Sequence, residues 1–244
     1  MIKQAFILGA GLGTRMRHLT KDIAKPMIEV AGQSLITRLI DQLIEYGVTR
    51  IVINVFYKPD LLMEHVKKHM SKYQAIEYFF SEELDLLETG GGIIRALEYL
   101  EDKPFFVVNG DSVFIGEENA FSILNKHWED RMNAIFLLTS LDRAIGYDGK
   151  GDFVLDKDKQ LAQSQNLSYV YIGAHITKPE IFASYKIQKI KLMDIYKKFL
   201  SKNIFQNIYG IIYQGHWLHV GTPEGLEQAN EFIESYSNKD SAAY

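Results

Sequence analysis

The chain has no cysteine among its 244 residues. Disulfides, thiolate metal sites and cysteine nucleophiles are therefore excluded together. Basic residues are not in excess either: 27 Lys and Arg stand against 31 Asp and Glu, a formal net charge of −4. Without a broad cationic field no nucleic-acid partner is expected, and small anions held in a local pocket suit this balance better. No apolar run approaches the ~20 residues of a membrane span, and residues 5–8 are far too short for a secretory h-region. The sequence thus predicts no membrane partner and a cytoplasmic location. Proline is sparse, and no Pro-rich linker, repeat or low-complexity block marks a boundary. A single domain over 1–236 is expected, followed by a flexible tail at 237–244.

What is present is a repeated alternation of short apolar runs and amphipathic segments. Residues 5–8 read as a buried strand entering a glycine-rich loop at 9–20. Leu35, Leu39, Ile40, Leu43 and Ile44 have helical spacing that stops at Gly47, a good C-terminal cap. Residues 50–55 are β-branched and read as a second buried strand. A helix over 59–70, a strand near 76–80, a helix over 92–100 and strands at 105–108 and 134–140 continue the pattern. This predicts an α/β, Rossmann-like, mostly parallel (mixed) sheet flanked by helices, with ligands at the carboxyl ends of its strands. Strands at 152–155, 169–176, 210–213 and 217–220 and a closing helix over 222–235 follow. The stretch 141–220 reads as a substrate-binding lobe.

Gly9-Ala10-Gly11-Leu12-Gly13-Thr14-Arg15 follows the first strand, and its glycines let backbone N–H groups surround an anion. The string has no acidic partner at the second strand, where Asn54 sits, and it lacks the GK[ST] of a P-loop. Instead Arg15 and Lys25 bring two positive charges to the same loop, as a triphosphate requires. Either charge alone would pass as a solvated surface residue. Glu88-Thr89-Gly90-Gly91-Gly92 could be a helix-capping turn. Three glycines, each costing roughly 0.5–1 kcal/mol beside a helix, exceed what a cap needs and point to close ligand approach. Residues 105–108 deliver Asn109, Gly110 and the Asp111 carboxylate to a strand end. His65, His69 and His127 fall on helical segments without matched partners and read as structural.

Taken together, the blocks Leu8 to Met16 with Thr20, Lys25-Pro26-Met27, Leu87 to Gly92, Gly110-Asp111 and Gly215 to Glu224 resemble the signature of the sugar-1-phosphate nucleotidylyltransferases. Their order, over residues 1–234, is most similar to the short bacterial members that act on N-acetylmuramate-1-phosphate. The resemblance implies a nucleotidyltransferase fold with a small sugar-binding lobe and no C-terminal β-helix. It implies UTP and a sugar-1-phosphate as partners, a UDP-sugar and pyrophosphate as products, Mg²⁺ as cofactor and a place in peptidoglycan recycling. Catalytic roles fall to Arg15, Lys25 and Asp111. Leu8, Ala10, Gly11, Gly13, Thr14, Gly91, Gly92 and Asn109 would surround the nucleotide. Glu88, Gly151, Asp152 and Gly173 would face the sugar, and Asp111 with His219 would hold the metal.

The chain departs from the family pattern at Gly9, usually alanine, at His18, usually proline, and at His219, usually a metal-binding aspartate. Imidazole suits later metals better than Mg²⁺. His219 can therefore bind Mn²⁺, Co²⁺ or another divalent ion, leave the metal to Asp111, phosphates and water, or mark a site without turnover. Mannose- or heptose-1-phosphate guanylyl transfer shares the same motifs and differs in the base pocket. A non-catalytic nucleotide- or sugar-binding protein would also keep the loop. A nicotinamide-dependent oxidoreductase would leave Lys25, the triple glycine and Asp111 without a role. Oligomeric state is not legible in the sequence.

Overall fold

The computed structural model describes residues 1–241, with side chains described through Tyr236. The first half alternates as expected. Strand β1 is Gln4–Leu8, the ribbon β2 Glu29–Val30 and β3 Gln33–Ser34 precedes helix α1 at Leu35–Tyr46, and β4 is Arg50–Val55. Helix α2 at Pro59–Met70, β5 at Glu77–Glu82, α3 at Glu88–Ala96 and β6 at Phe105–Asn109 follow. Then come β7 at Ser112–Ile115, α4 at Ala120–His127, β8 at Ala134–Ser140 and β9 at Ala144–Ile145. The late half holds β10 at Val154–Leu155, β11 at Gln160–Ala162, β12 at Tyr169–Thr177 and α5 at Leu192–Tyr196. It ends with β13 at Leu200–Ser201, β14 at Ile204–Ile212, β15 at His216–His219 and α6 at Pro223–Ser241. Of the expected tail, residues 237–241 continue α6 along the backbone, and residues 242–244 lie outside the described residues.

A ten-stranded sheet in the order β10-β11-β14-β8-β12-β6-β1-β4-β5, with β13 on β14, forms the body of the molecule. β6, β1, β4 and β5 are all parallel, so their carboxyl ends open on one edge. β12 runs antiparallel to both β6 and β8, and β14 is parallel to β8, which makes the sheet mixed. Among the described residues no β-helix follows it.

Alternate side chains of the strands feed two cores. On one face Ile7, Ile51, Ile53 and Phe106 pack with α1, α2 and α4. On the other, Phe6, Val52, Phe105 and Val107 pack with α3 and α5. Burial on both faces is why these strands read as continuous apolar runs. A third cluster joins Met16 of the glycine-rich loop, Val113 of β7, Leu218 of β15 and Ala229 of α6. It fastens the small sheet β7-β15-β9 and the closing helix against the loop.

Helix α1 starts at Ser34, whose Oγ accepts from Thr37 N–H, and stops at Gly47 with φ of 109°. Such caps contribute about 1 kcal/mol. α3 departs from expectation, because it begins at Glu88 and takes all three glycines into its first turns. Glycine is a poor helix former, and here tertiary packing overrides propensity. Gly90 and Gly91 meet the chain at 188–191, where a Cβ would stand 2.8 Å from Ile190 O and 2.2 Å from Gln188 O.

Candidate active site

The carboxyl ends of β1, β4 and β6 and the start of α3 enclose a cavity of about 320 Å³. Leu8, Ala10, Gly11, Gly13, Thr14, Arg15, Lys25, Glu88, Asn109 and Asp111 line it together. Ten of the residues named from sequence, drawn from four separate blocks, thus share one wall system. Asn54, Glu83, Leu86 and Thr89 complete much of the rest.

Each part of the loop has a local cause. At Gly9 a Cβ would stand 2.7 Å from Asn54 O, so an alanine at this position would collide with β4. Gly11 has nothing within 4 Å of that position, which leaves its backbone open to a ligand. Gly13 has φ of 63°. Thr20 Oγ1 donates to Gly13 O at 3.0 Å and closes the turn. Arg15 is exposed at its rim. Gly110 lies so near Leu8 O that a Cβ would come within 2.3 Å, which brings β1 and the Asp111 turn together.

At the floor, Lys25 Nζ and Asp111 Oδ2 form an ion pair of 2.5 Å. Burial by itself would raise the Asp111 pKa. The Lys25 charge and hydrogen bond outweigh it and hold the carboxyl below its ordinary value. Asp111 is therefore an anion in neutral solution, and Lys25 is a cation placed where a ligand phosphate can compete for it.

Asn54 and Glu83 were not legible as site residues. Asn54 Oδ1 accepts from Gly9 N–H at 2.7 Å and from Ala10 N–H at 3.3 Å. Its Nδ2 donates to Glu83 Oε1 at 2.6 Å, and Glu83 Oε2 accepts from Leu87 N–H at 3.0 Å. One buried chain of hydrogen bonds thus ties the glycine loop to the start of α3. Burial raises the Glu83 pKa, offset in part by Leu87, Asn54 and Arg95. The signal that could have found Asn54 is a polar residue directly after the buried apolar run 51–53, near the end of a parallel strand. Glu83 follows Ser81 and Glu82 and carries no such local signal.

The remaining expected residues lie elsewhere. The room that Gly91 and Gly92 leave is taken by protein: by the 188–191 segment for Gly91, and by Asn54 Nδ2 and Glu83 Oε1, at 2.8 and 2.9 Å from a Cβ on Gly92. Neither lines the cavity; Glu88 and Thr89 of that block do. Gly173, with φ of 81°, packs against Asn109 and Ser112 just behind the cavity wall. Gly151 sits at φ of 100°. Asp152 Oδ2 accepts from Tyr171 N–H at 2.9 Å, within the late lobe. Gly151, Asp152 and Gly173 are outside the cavity lining.

For a metal, among the described residues no three His, Asp or Glu side chains converge. Asp111 offers the hard oxygen that Mg²⁺ prefers. His219 meets an obstacle. Its ring packs at 4.9 Å from Trp217, and its Nδ1 is buried without a hydrogen-bond partner. Metal-bound imidazoles donate their other ring N–H to an acceptor, which is missing here. Asp111 fits the expected metal role, whereas His219 does not.

Comparison with known proteins bears on this geometry. A family model described as nucleotidyl transferase matches residues 4–236. The chain is 36% identical to the N-acetylmuramate alpha-1-phosphate uridylyltransferase of Caulobacter vibrioides, over 91% of this chain and 93% of that protein. It is 27% identical to the mannose-1-phosphate guanyltransferase of Yarrowia lipolytica, over 98% of this chain and 67% of that protein. In structure it is similar to HddC of Yersinia pseudotuberculosis complexed with GMP-PN, with a TM-score of 0.74, 24% identity and coverage of 95% of this chain and 100% of that one.

Proposed function

The chain belongs to the nucleotidyl transferase family, as a sugar-1-phosphate nucleotidylyltransferase, and we propose that it joins UTP to N-acetylmuramate-1-phosphate, releasing pyrophosphate and forming a UDP-sugar. The observation that carries this reading is the Lys25–Asp111 pair on the floor of a cavity rimmed by the glycine loop and Arg15. The uridylyltransferase relative supports the choice of substrates.

In the proposed reaction an oxygen of the sugar phosphate bonds to the α-phosphorus of UTP. The α–β bridging P–O bond breaks, and its electron pair leaves with pyrophosphate. The attacking phosphate is already ionised, so no general base is needed. Catalysis then consists of positioning two anions and neutralising the charge that moves between them. The backbone of Gly11 and Gly13 cradles the triphosphate, Arg15 takes its β and γ phosphates, and Lys25 takes the transferring phosphate. Asp111 would hold a divalent cation, Mg²⁺ in the first instance, whose charge offsets that of the leaving pyrophosphate. Glu88 and Thr89 face the base and sugar side.

Glu83 favours one second reading. A buried carboxylate on the cavity wall is an acceptor, and guanine offers two adjacent donors on its pairing edge where uracil offers one. Guanylyl transfer to mannose- or heptose-1-phosphate would use that edge. A pyrophosphate-release assay crossing UTP, GTP, CTP and dTTP with the three sugar phosphates separates the two. Release with UTP and N-acetylmuramate-1-phosphate is expected. Faster release with GTP would move the assignment to the second reading. Nucleotide binding without release under Mg²⁺, Mn²⁺ or Co²⁺ would remove the enzymatic one.

A further inference from the structure

We infer that His219 is a phosphate-reading residue rather than a metal ligand: its Nε2–H donates to a phosphate oxygen at the Asp111–Lys25 end of the cavity. The inference rests on the reading above for the identity of the ligand, but its central test does not depend on turnover.

The position of the ring follows from strand register. β15 pairs antiparallel with β7, which sets His219 opposite Ser112, the residue after Asp111. Trp217 at 4.9 Å and Tyr147 at 6.2 Å hold the imidazole from the lobe side. Its Nε2 tip points at Gly221, where a Cβ would come within 2.3 Å, and Gly221 is itself part of the cavity wall. Any side chain at 221 would displace the ring, so the glycine keeps Nε2 at the margin of the site.

The orphaned Nδ1 then decides the chemistry. A buried N–H without a partner is rarer and less tolerable than an acceptor whose lone pair goes unused. Both the imidazolium and the tautomer with the proton on Nδ1 would bury such a donor. The remaining form carries its single proton on Nε2 and presents it at the cavity margin. In that form Nε2 has no lone pair in the ring plane to give a metal, and it is a hydrogen-bond donor for an anion. A neutral donor adds a further contact to the same phosphates without repelling Lys25 or Arg15.

The test is spectroscopic first. Mn²⁺ is bound to the full chain with UTP, without sugar phosphate so that no turnover occurs, and pulsed electron paramagnetic resonance is recorded. No imidazole nitrogen coupling is expected, and a histidine nitrogen coupled to Mn²⁺ would overturn the inference. Nitrogen-15 NMR of histidine-labelled protein should show His219 protonated on Nε2 alone, whereas protonation on Nδ1 would overturn it. In kinetics, His219→Ala should raise the KM for UTP about tenfold, the effect of one hydrogen bond to a charged group. His219→Gln, which keeps a donor, should recover most of that loss, and His219→Asp should not. Recovery by Asp with Mg²⁺ but not by Gln would return His219 to the metal. A failure of the UTP assay alone, with no nitrogen coupling to Mn²⁺, would count against the substrate reading and not against this one.

Discussion

The parallel half of the sheet and the mixed late lobe treat their polar residues differently. At β4, β5 and β6, residues Asn54, Glu83, Asn109 and Asp111 stand at or just beyond strand ends and open into one cavity. In the late lobe several polar groups pair with one another instead. Asp152 accepts from Tyr171 N–H, the Tyr171 hydroxyl meets His175 Nδ1 at 2.7 Å, and Tyr196 donates to Thr177. Parallel strands all finish on the same edge, so residues far apart in sequence converge there. Antiparallel neighbours finish on opposite edges, and their polar residues converge only where a bulge redirects the chain, as at Gly173 in β12.

The largest effect that would break this contrast is at Lys25. Lys25→Ala should lower kcat about a hundredfold to a thousandfold, as does loss of other donors to developing charge. Pyrophosphate release checks it, and retained activity would detach the ion pair from the chemistry. Next come the glycines, where two substitutions separate structure from function. Gly91→Ala should destabilise by about 1–3 kcal/mol in urea unfolding, because the new Cβ strikes the backbone at Gln188. Gly11→Ala should change stability by less than ~0.5 kcal/mol, since nothing lies near it, and should weaken nucleotide binding in a titration. Equal losses of stability would remove the distinction between them.

A smaller effect sharpens the late lobe. His175 is fully buried, stacked at 4.6 Å on Phe136, and burial pushes its pKa down from 6.5 to about 3. The unfolded chain takes up this proton as pH drops below 6.5 and the folded chain does not, so stability falls with acidification until about pH 3. At ~1.4 kcal/mol per pH unit, its share between pH 7.5 and 5.0 is about 2 kcal/mol. Unfolding curves at the two pH values should therefore converge in His175→Gln relative to the unsubstituted chain. The smallest expected effect is on the polar chain behind the loop. Asn54→Asp or Glu83→Gln alone should cost about 1–2 kcal/mol through a lost or repulsive contact. Together they reverse each donor and acceptor of the Asn54–Glu83 bond while leaving acceptors for Gly9, Ala10 and Leu87, so a double-mutant cycle should show recovery.

Much of the parallel half was legible because its signals are local. The apolar run before Gly9, the spacing that ends at Gly47 and the run before Asn109 each lie within a few residues of what they specify. Helix α3 was shifted, since Gly90, Gly91 and Gly92 look like a break until the 188–191 segment is laid across them. β14 was seen only at its end. Its first residues carry Gln206 and Asn207, the latter at φ of 59°, which interrupts the apolar pattern that pairing with β8 and β11 nevertheless holds. Asn54 was visible only as a missing acid, and its role depends on Glu83, 29 residues away.

By itself the sequence determined the elements whose causes are near neighbours in the chain: the buried strands, the glycine loop with Arg15 and Lys25, and a carboxylate delivered by an apolar run at Asp111. Only the tertiary structure decided which glycines face ligand space and which face protein, that Asn54 and Glu83 join the loop to α3, and that the His219 ring sits with one nitrogen buried. Those outcomes depend on how segments separated by tens of residues approach one another. Burial, hydrogen-bond satisfaction and close backbone contact act on that approach, and residue type and spacing do not encode it.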